Sequence, residues 1–207
     1  MKNKLIFIIV LSVFSGIVFV GCERKEIKNV DSKGESIICF GDSITSGYGV
    51  NFDESYPSIL EGMLSLPVIN AGLDGDTTSE ALKRLKEDVL DKKPFLVIIE
   101  LGGNDFLRRI PLSETLKNIE EMIVKIQNYG AMVVLVDISA GLIMSEYYKE
   151  YKKLSKKYQA IFVPHLLRGI LTQRGLKVDF IHPNPEGHRI IAKRIYQVIS
   201  PFCIHRK

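Results

Sequence analysis

The sequence predicts an α/β domain in which a five-stranded parallel sheet lies between two layers of helices, a three-layer α/β/α sandwich. Short apolar runs alternate along the chain with longer amphipathic stretches, which indicates alternating strands and helices. Runs such as LVIIEL and MVVLV are apolar on both faces, as strands are when helices cover both sides of a parallel sheet. A five-strand domain of this size most often takes the flavodoxin-like strand order 2-1-3-4-5.

The boundaries of the elements follow from the apolar pattern and from helix-capping residues. Thr77 with Glu80 fits a capping box, Gly130 can end the third long helix, and Asn184-Pro185 supplies an N-cap followed by a first-turn proline. A short helical turn is expected over 166–173. The predicted strands are 37–40, 68–70, 95–101, 131–137 and 160–163, and the predicted helices are 56–65, 78–90, 113–129, 145–158 and 185–200.

The amino-terminal residues differ from the rest of the chain and predict an export signal. A basic start precedes a sixteen-residue, mostly apolar run over 5–20, which is shorter than the about 18 to 20 residues of a membrane-spanning helix. The tetrapeptide FVGC at 19–22 resembles a bacterial lipobox, which predicts a signal peptide over 1–21 and a lipid on Cys22. A plain cleaved signal and an uncleaved signal anchor stay open as alternatives.

The lipobox resemblance places the protein on the extracytoplasmic side of a bacterial membrane, and it leaves open which membrane that is. Residues 23–35 are charged and poor in apolar side chains, so 22–35 is predicted to be a lipidated cysteine with a flexible tether. The folded domain is then expected to occupy 36–207.

Composition excludes several classes of function. The formal net charge is +4, and neither a long basic run nor an interleaved aromatic-basic patch is present, so nucleic acid is not expected as a partner. Cys39 lies within an apolar strand pattern and predicts a buried thiol rather than a disulfide or metal ligand. The sequence carries neither a phosphate-binding loop nor an HExxH zinc motif. No metal, cofactor or protein partner is predicted.

Polar motifs follow four of the predicted strands. They are GDS at 41–43, GDT at 75–77, GGND at 102–105 and DFIH at 179–182. Because ligands of such sheets bind outside the carboxyl ends of the strands, near the switch point between the first and third, these motifs are expected to meet at one edge.

The residue types at this edge are those that a serine nucleophile requires. A serine hydroxyl needs a base, a carboxylate that orients the base, and donors for the oxyanion. Asp179 and His182 are three residues apart, close enough for one turn of chain to bring them together, and Ser43 would meet them across the sheet. Taken alone, GDS and GGND are each explained by a plain turn, Asp179 by a helix cap and His182-Pro183 by a helix entry. Three other histidines are expected to be structural or surface groups, namely His165, His188 and His205.

The four blocks together resemble the GDSL or SGNH hydrolase family. They read FGDSITSGYG, NAGLDGDTTSEALKRL, VIIELGGNDFLRR and DFIHPNPEGH, in that order, and they are most similar to bacterial multifunctional esterases of the thioesterase, arylesterase and lysophospholipase type. The resemblance implies Ser43 as nucleophile, His182 as general base and then acid, and Asp179 as its orienting partner. It also implies an oxyanion hole formed by the N–H groups of Ser43 and Gly75 and the amide of Asn104.

The function implied by this resemblance is hydrolysis of small acyl esters through an acyl-enzyme intermediate, with no cofactor. Two alternatives stay open: a carbohydrate O-acetylesterase of the bacterial envelope and a non-catalytic binding lipoprotein. The acyl pocket is less clear. Phe106, Leu107 and Leu142 follow the third and fourth strands at the same edge, where they would either line an acyl groove or pack under a loop.

Overall fold

A five-stranded sheet forms the centre of the molecule. The computed structural model describes residues 26–139 and 144–203, so the predicted signal peptide and Cys22 lie outside the described residues. All neighbouring strands pair in parallel, in the order β2-β1-β3-β4-β5. This confirms the predicted sheet and its order. The strands are β1 Ser36–Gly41, β2 Val68–Gly72, β3 Pro94–Glu100, β4 Met132–Val136 and β5 Ile161–Val163.

Among the described residues, five long α-helices lie where the amphipathic stretches predict them, and two short α-helices are additions. Both short helices directly follow a strand, at places where the sequence had indicated turns. Residues 166–173 form successive turns. Within the described residues, no helix is long and apolar enough to cross a membrane. The helices are α1 Ser43–Ser46, α2 Tyr56–Leu64, α3 Thr78–Asp88, α4 Gly103–Leu107, α5 Leu112–Tyr129, α6 Ser145–Lys157 and α7 Pro185–Ile199.

The sheet separates two apolar cores because successive strand residues point to opposite faces. In β1, Ile37 and Cys39 pack in the core with α2 and α7, whereas Ile38 and Phe40 pack in the core with α3, α5 and α6. All four side chains are fully buried. The Cys39 thiol is free, as predicted. The central strand is therefore held on both faces, which gives the residues that follow it a rigid base.

The predicted helix ends are confirmed by hydrogen bonds. The Glu80 N–H donates to Thr77 Oγ1 at 3.3 Å, and the Thr77 N–H donates back to the Glu80 carboxylate at 2.9 Å. Gly130 ends α5 with φ 100°, a left-handed conformation that glycine adopts without strain. Asn184 caps α7 by accepting from the Gly187 N–H at 3.1 Å.

The structure corrects the extent of the predicted tether. Residues 26–35 contact the domain, although their charged composition predicted a solvated segment. The Asn29 side-chain amide donates to the carbonyls of Gln127 and Ala131, at 2.8 and 2.9 Å. The Glu35 N–H donates to the carbonyl of Lys93 at 2.8 Å, at the start of β3. Composition missed these contacts because one asparagine and a few backbone groups make them.

Candidate active site

Ser43 lies at a junction between a strand and a helix. β1 ends at Gly41, the Asp42 carboxylate caps α1 by accepting from the Ile44 N–H at 3.0 Å, and Ser43 is the first helical residue. A Cβ atom on Gly41 would lie 2.0 Å from Thr45 Oγ1 and 2.6 Å from the Glu100 carbonyl. Glycine is therefore required here for close packing. The junction replaces the simple turn that the sequence had indicated.

A short loop between 178 and 182 holds an acid against an imidazole. The Val178 N–H donates to the His182 carbonyl at 3.0 Å, which closes the loop. Asp179 Oδ1 accepts from the N–H groups of Ile181 and His182, both at 2.9 Å, and Asp179 Oδ2 lies 2.7 Å from His182 Nδ1. The hydrogen bond with the His182 ring, and then those with the two N–H groups, lower the pKa of Asp179 to about 2. Asp179 is therefore a carboxylate at neutral pH.

The His182 ring joins this loop to the first strand. His182 Nε2 lies 2.9 Å from Ser43 Oγ, across 139 residues of sequence. Tyr48 covers the ring, with 4.5 Å between ring centroids, and was not singled out from the sequence, although it lies in the block FGDSITSGYG. The structure thus brings together Ser43, His182 and Asp179 as a continuous chain of contacts from hydroxyl to carboxylate.

Gly75 lies in a loop after β2 that several contacts fix in place. Its φ of 79° is left-handed, and a Cβ atom there would meet only Arg108 Nη2 within 4 Å, at 3.5 Å, so backbone conformation explains the glycine better than lack of space does. Arg108 Nη2 donates to the Gly75 carbonyl at 2.7 Å. The neighbouring Asp76 carboxylate pairs with Arg84 at 2.6 Å. These contacts hold both sides of the Gly75 peptide.

Asn104 is positioned by the residue that follows it in α4. The Asp105 side chain is fully buried and accepts from the Thr78 N–H at 2.8 Å and from Thr115 Oγ1 at 3.1 Å, which ties α4 to α3 and α5. Asn104 Nδ2 donates to the Asp76 carbonyl at 3.0 Å and to Asp42 Oδ2 at 3.2 Å. Both hydrogens of this amide are therefore engaged, and an oxyanion would have to replace one of the two acceptors.

Beneath Ser43 lies a pair of buried carboxyl groups, Asp42 and Glu100, that the sequence analysis did not identify. Burial raises the pKa of Asp42 to about 6. Burial, and then the charge of Asp42, raise the pKa of Glu100 well above its usual range. Thr45 Oγ1 donates to Glu100 Oε2 at 2.9 Å. The signal in the sequence was an acid within the otherwise apolar run LVIIEL.

The Glu100→Gln variant is expected to be more stable than the parent above neutral pH. The folded parent retains protons that the unfolded chain releases above its ordinary values of 3.8 for Asp42 and 4.5 for Glu100, so its free energy of unfolding falls as pH rises. A glutamine stays neutral, and its carbonyl can still accept from Thr45. Urea unfolding at about pH 5 and about pH 8 should show a smaller fall in the free energy of unfolding for the variant than for the parent. An equal fall in the free energy of unfolding for parent and variant would contradict this account.

Two of the three predicted acyl-contacting residues are exposed, and the role of all three stays a prediction. Phe106 and Leu107 are 40% and 57% exposed. Phe106 packs edge-on against Tyr147, with 6.1 Å between ring centroids, and lines a hollow of about 420 Å³ that Met144 also lines. Leu142 lies outside the described residues.

Two of the remaining histidines are placed as the sequence analysis expected. His188 is fully buried, its Nδ1 accepts from the Tyr56 N–H at 3.2 Å, and burial lowers its pKa to about 4. His165 is exposed and stacks on Tyr148, with 4.8 Å between ring centroids. His205 lies outside the described residues.

A family model matches the part of the chain that contains Ser43, Gly75, Asn104, Asp179 and His182. The model of the GDSL-like lipase/acylhydrolase family matches residues 39–190. An arylesterase of Vibrio mimicus is 34% identical over 174 residues, which cover 79% of this chain and 87% of the relative. The thioesterase 1/protease 1/lysophospholipase L1 of Escherichia coli K12 is 26% identical, over 83% and 86% of the two chains. A crystal structure of TesA, 28% identical, superposes with a TM-score of 0.75 and covers 81% of this chain and 99% of its own.

Proposed function

The chain belongs to the GDSL-like lipase/acylhydrolase family and is a carboxylic ester hydrolase, and on this premise we propose that Ser43, His182 and Asp179 hydrolyse small acyl esters through an acyl-enzyme. One observation carries the proposal. The contacts of 2.9 Å from Ser43 Oγ to His182 Nε2 and of 2.7 Å from His182 Nδ1 to Asp179 Oδ2 form an unbroken path for a proton.

In the first half of the reaction, Ser43 Oγ attacks the ester carbonyl while His182 Nε2 takes the hydroxyl proton. The Asp179 carboxylate, held by two backbone N–H groups, keeps the proton of His182 on Nδ1 and stabilises the imidazolium that forms. His182 then gives its proton to the leaving alcohol. In the second half, His182 activates a water that attacks the acyl-serine ester, and the acid is released with Ser43 restored.

Charge that develops on the carbonyl oxygen would be stabilised by the N–H groups of Ser43 and Gly75 and by the Asn104 amide. The loop contacts described above support this, because a donor that is already fixed needs no reorganisation during the reaction. The bond from Asn104 to Asp42 is the longer of the two that the amide donates, at 3.2 Å against 3.0 Å. We infer that the oxyanion replaces this bond.

Asn104→Ala is expected to lower kcat by about 10²- to 10³-fold and to change KM little, because the lost donor acts on charge that exists only in the transition state. Steady-state kinetics with p-nitrophenyl butyrate would measure this. Asn118→Ala is the matched control, since the Asn118 amide also donates to a side chain in the domain, Thr78 Oγ1 at 3.1 Å. The control should keep the parent kcat. A rise in KM at unchanged kcat in Asn104→Ala would contradict the assignment.

For the substrate, we propose an acyl ester of the kind that an arylesterase, thioesterase or lysophospholipase hydrolyses, as the names of the relatives suggest. A series of p-nitrophenyl esters from acetyl to palmitoyl tests this. Turnover that extends to the longer chains supports the proposal. Sharp restriction to acetyl would overturn it and indicate a carbohydrate O-acetylesterase.

We also propose that the protein is held on the extracytoplasmic side of a bacterial membrane by a lipid on Cys22. The support is the basic start, the apolar run and the FVGC tetrapeptide of the sequence. Cell fractionation tests it, because Cys22→Ser should move the protein from the membrane fraction to the soluble fraction. A variant that stays in the membrane fraction would favour an uncleaved signal anchor.

A further inference from the structure

Residues 26–35 run along the edge of the sheet where all five strands begin, which we call the amino edge. The Lys28 N–H donates to the Gln159 carbonyl at 3.0 Å, just before β5, and Asn29 donates to the Ala131 carbonyl, just before β4. The Glu35 N–H then donates to the Lys93 carbonyl, just before β3, and the chain continues into β1. The segment therefore crosses the amino edge from β5 to β1.

The residues proposed for catalysis lie at the opposite edge, which we call the catalytic rim. Ser43 follows β1 and Asn104 follows β3, at the carboxyl ends of these strands. β3 has seven residues, and a parallel strand rises about 3.3 Å per residue, so the two edges are about 20 Å apart. The first described residue, Glu26, is thus separated from the catalytic rim by the full height of the sheet.

From this separation we propose that the amino edge faces the membrane that holds the protein, and that the catalytic rim faces the aqueous compartment. The enzyme then takes its ester from the aqueous side rather than from its own bilayer. The inference rests on the proposed esterase activity and on the proposed lipid at Cys22. Only four chain steps join Cys22 to Glu26, and fully extended chain spans at most about 3.6 Å per residue, or about 14 Å. This is less than the height of the sheet, so the domain cannot turn over to lay its rim on that bilayer.

Contacts of the segment keep its exit point at the amino edge. Asn29 has a left-handed φ of 62°, and its side chain holds two backbone carbonyls, while Ile27 packs against the core with α2 and α7. The exposed charged residues of the segment and of the turn before β3 balance, since four lysines stand against four acids: Lys28, Lys33, Lys92 and Lys93 against Glu26, Asp31, Glu35 and Asp91. The short connection therefore determines the orientation.

Energy transfer to the membrane tests the orientation without any assay of activity. The full-length lipidated protein would be placed in vesicles of phosphatidylethanolamine and phosphatidylglycerol that contain an acceptor dye. A donor label is attached at the exposed Lys156→Cys, which lines one hollow with Ile27 and Gln159 at the amino edge, or at Phe180→Cys, where the native side chain is 91% exposed near His182. Transfer should be more efficient from position 156. Equal transfer, or more from position 180, would overturn the proposal, and so would protein that does not join the vesicles at all.

Substrate access provides a second test. The parent should hydrolyse water-soluble p-nitrophenyl butyrate but turn over lysophospholipid in its own vesicle slowly. Insertion of about twenty glycine and serine residues between positions 25 and 26 adds roughly 25 Å of average reach and should raise lysophospholipid turnover while leaving the soluble ester unaffected. If the parent hydrolyses lysophospholipid of its own vesicle as fast as the long-tether variant does, the inference is wrong. If neither form hydrolyses the soluble ester, the proposed activity fails, and the energy-transfer result still decides the orientation.

A variant of the segment tests whether its contacts with the domain set the orientation in the energy-transfer experiment. Asn29→Gly keeps a residue that tolerates the left-handed backbone but removes both side-chain hydrogen bonds to Gln127 and Ala131. It should narrow the difference in transfer between positions 156 and 180. A difference that persists in full would mean that the Asn29 contacts do not set the orientation, and the argument from the segment would fail.

Discussion

Ser43→Ala is expected to lower kcat/KM for p-nitrophenyl butyrate by about 10⁴- to 10⁶-fold, because the acyl-enzyme cannot form without the hydroxyl. The residual rate would come from substrate binding and the oxyanion donors alone. The fold should persist, since Ser43 Oγ contacts His182, a partly buried residue of the rim, and not the core. A fluorophosphonate probe gives an independent measurement, because it should add covalently to the parent and not to the variant.

Ser58→Ala is the matched control for this experiment. Its hydroxyl also bonds locally, donating to the Phe52 carbonyl at 2.7 Å, but it lies in α2 and not beside His182. The control should retain both turnover and labelling. If Ser43→Ala keeps the parent rate, or still takes the probe, Ser43 is not the nucleophile. If the parent itself shows neither turnover nor labelling, the non-catalytic lipoprotein becomes the better account.

The strands could be predicted from local patterns, and their order from the arrangement that five-strand domains of this size most often take. Each strand is an apolar run of its own, and the motifs after the strands had to meet once the strands were parallel. The meeting of Ser43 with His182 across 139 residues thus follows from topology and needs no knowledge of individual contacts. The same holds for Asn104, which follows the neighbouring strand β3.

What could not be predicted depends on contacts between distant residues. α4 is tied to α3 by the buried Asp105, which accepts from Thr78, 27 residues away, and nothing local in GGND distinguishes a helix from a turn. The contacts of Asn29 span about a hundred residues, so composition could only suggest a tether. Glu100 stands out as an acid in an apolar run, but nothing local shows that Asp42, after the neighbouring strand, is its partner. Local sequence patterns carry no record of such pairings.

The carboxyl pair bears on how the proposed oxyanion donor is held. Asn104 donates to Asp42, and the Asp42 carboxyl is in turn buried against Glu100, so the charge of this pair acts directly on the amide that the oxyanion needs. With the pKa of Asp42 at about 6, this bond gains a charged acceptor as pH rises through that value. Asp42 therefore caps α1 and also connects this helix to Asn104.

His182→Ala is expected to lower kcat/KM by a factor similar to that of Ser43→Ala, about 10⁴- to 10⁶-fold, because the serine hydroxyl is a weak nucleophile without a base. The sharper expectation concerns the double variant. When two residues contribute to the rate only jointly, removing either one already removes the whole contribution. The double variant Ser43→Ala with His182→Ala should therefore be no slower than either single variant. Kinetics of the three variants with p-nitrophenyl butyrate would measure this.

His165→Asn supplies the control for the histidine. His165 Nδ1 also lies near a carboxylate, 3.5 Å from Asp137 Oδ2, but its ring stacks on Tyr148 and not beside a serine hydroxyl. Asparagine suits its left-handed φ of 56°. This variant should keep the parent rate. If the effects of Ser43→Ala and His182→Ala instead multiply in the double variant, the two side chains act independently, and the proton path from Ser43 through His182 to Asp179 is not the source of the rate.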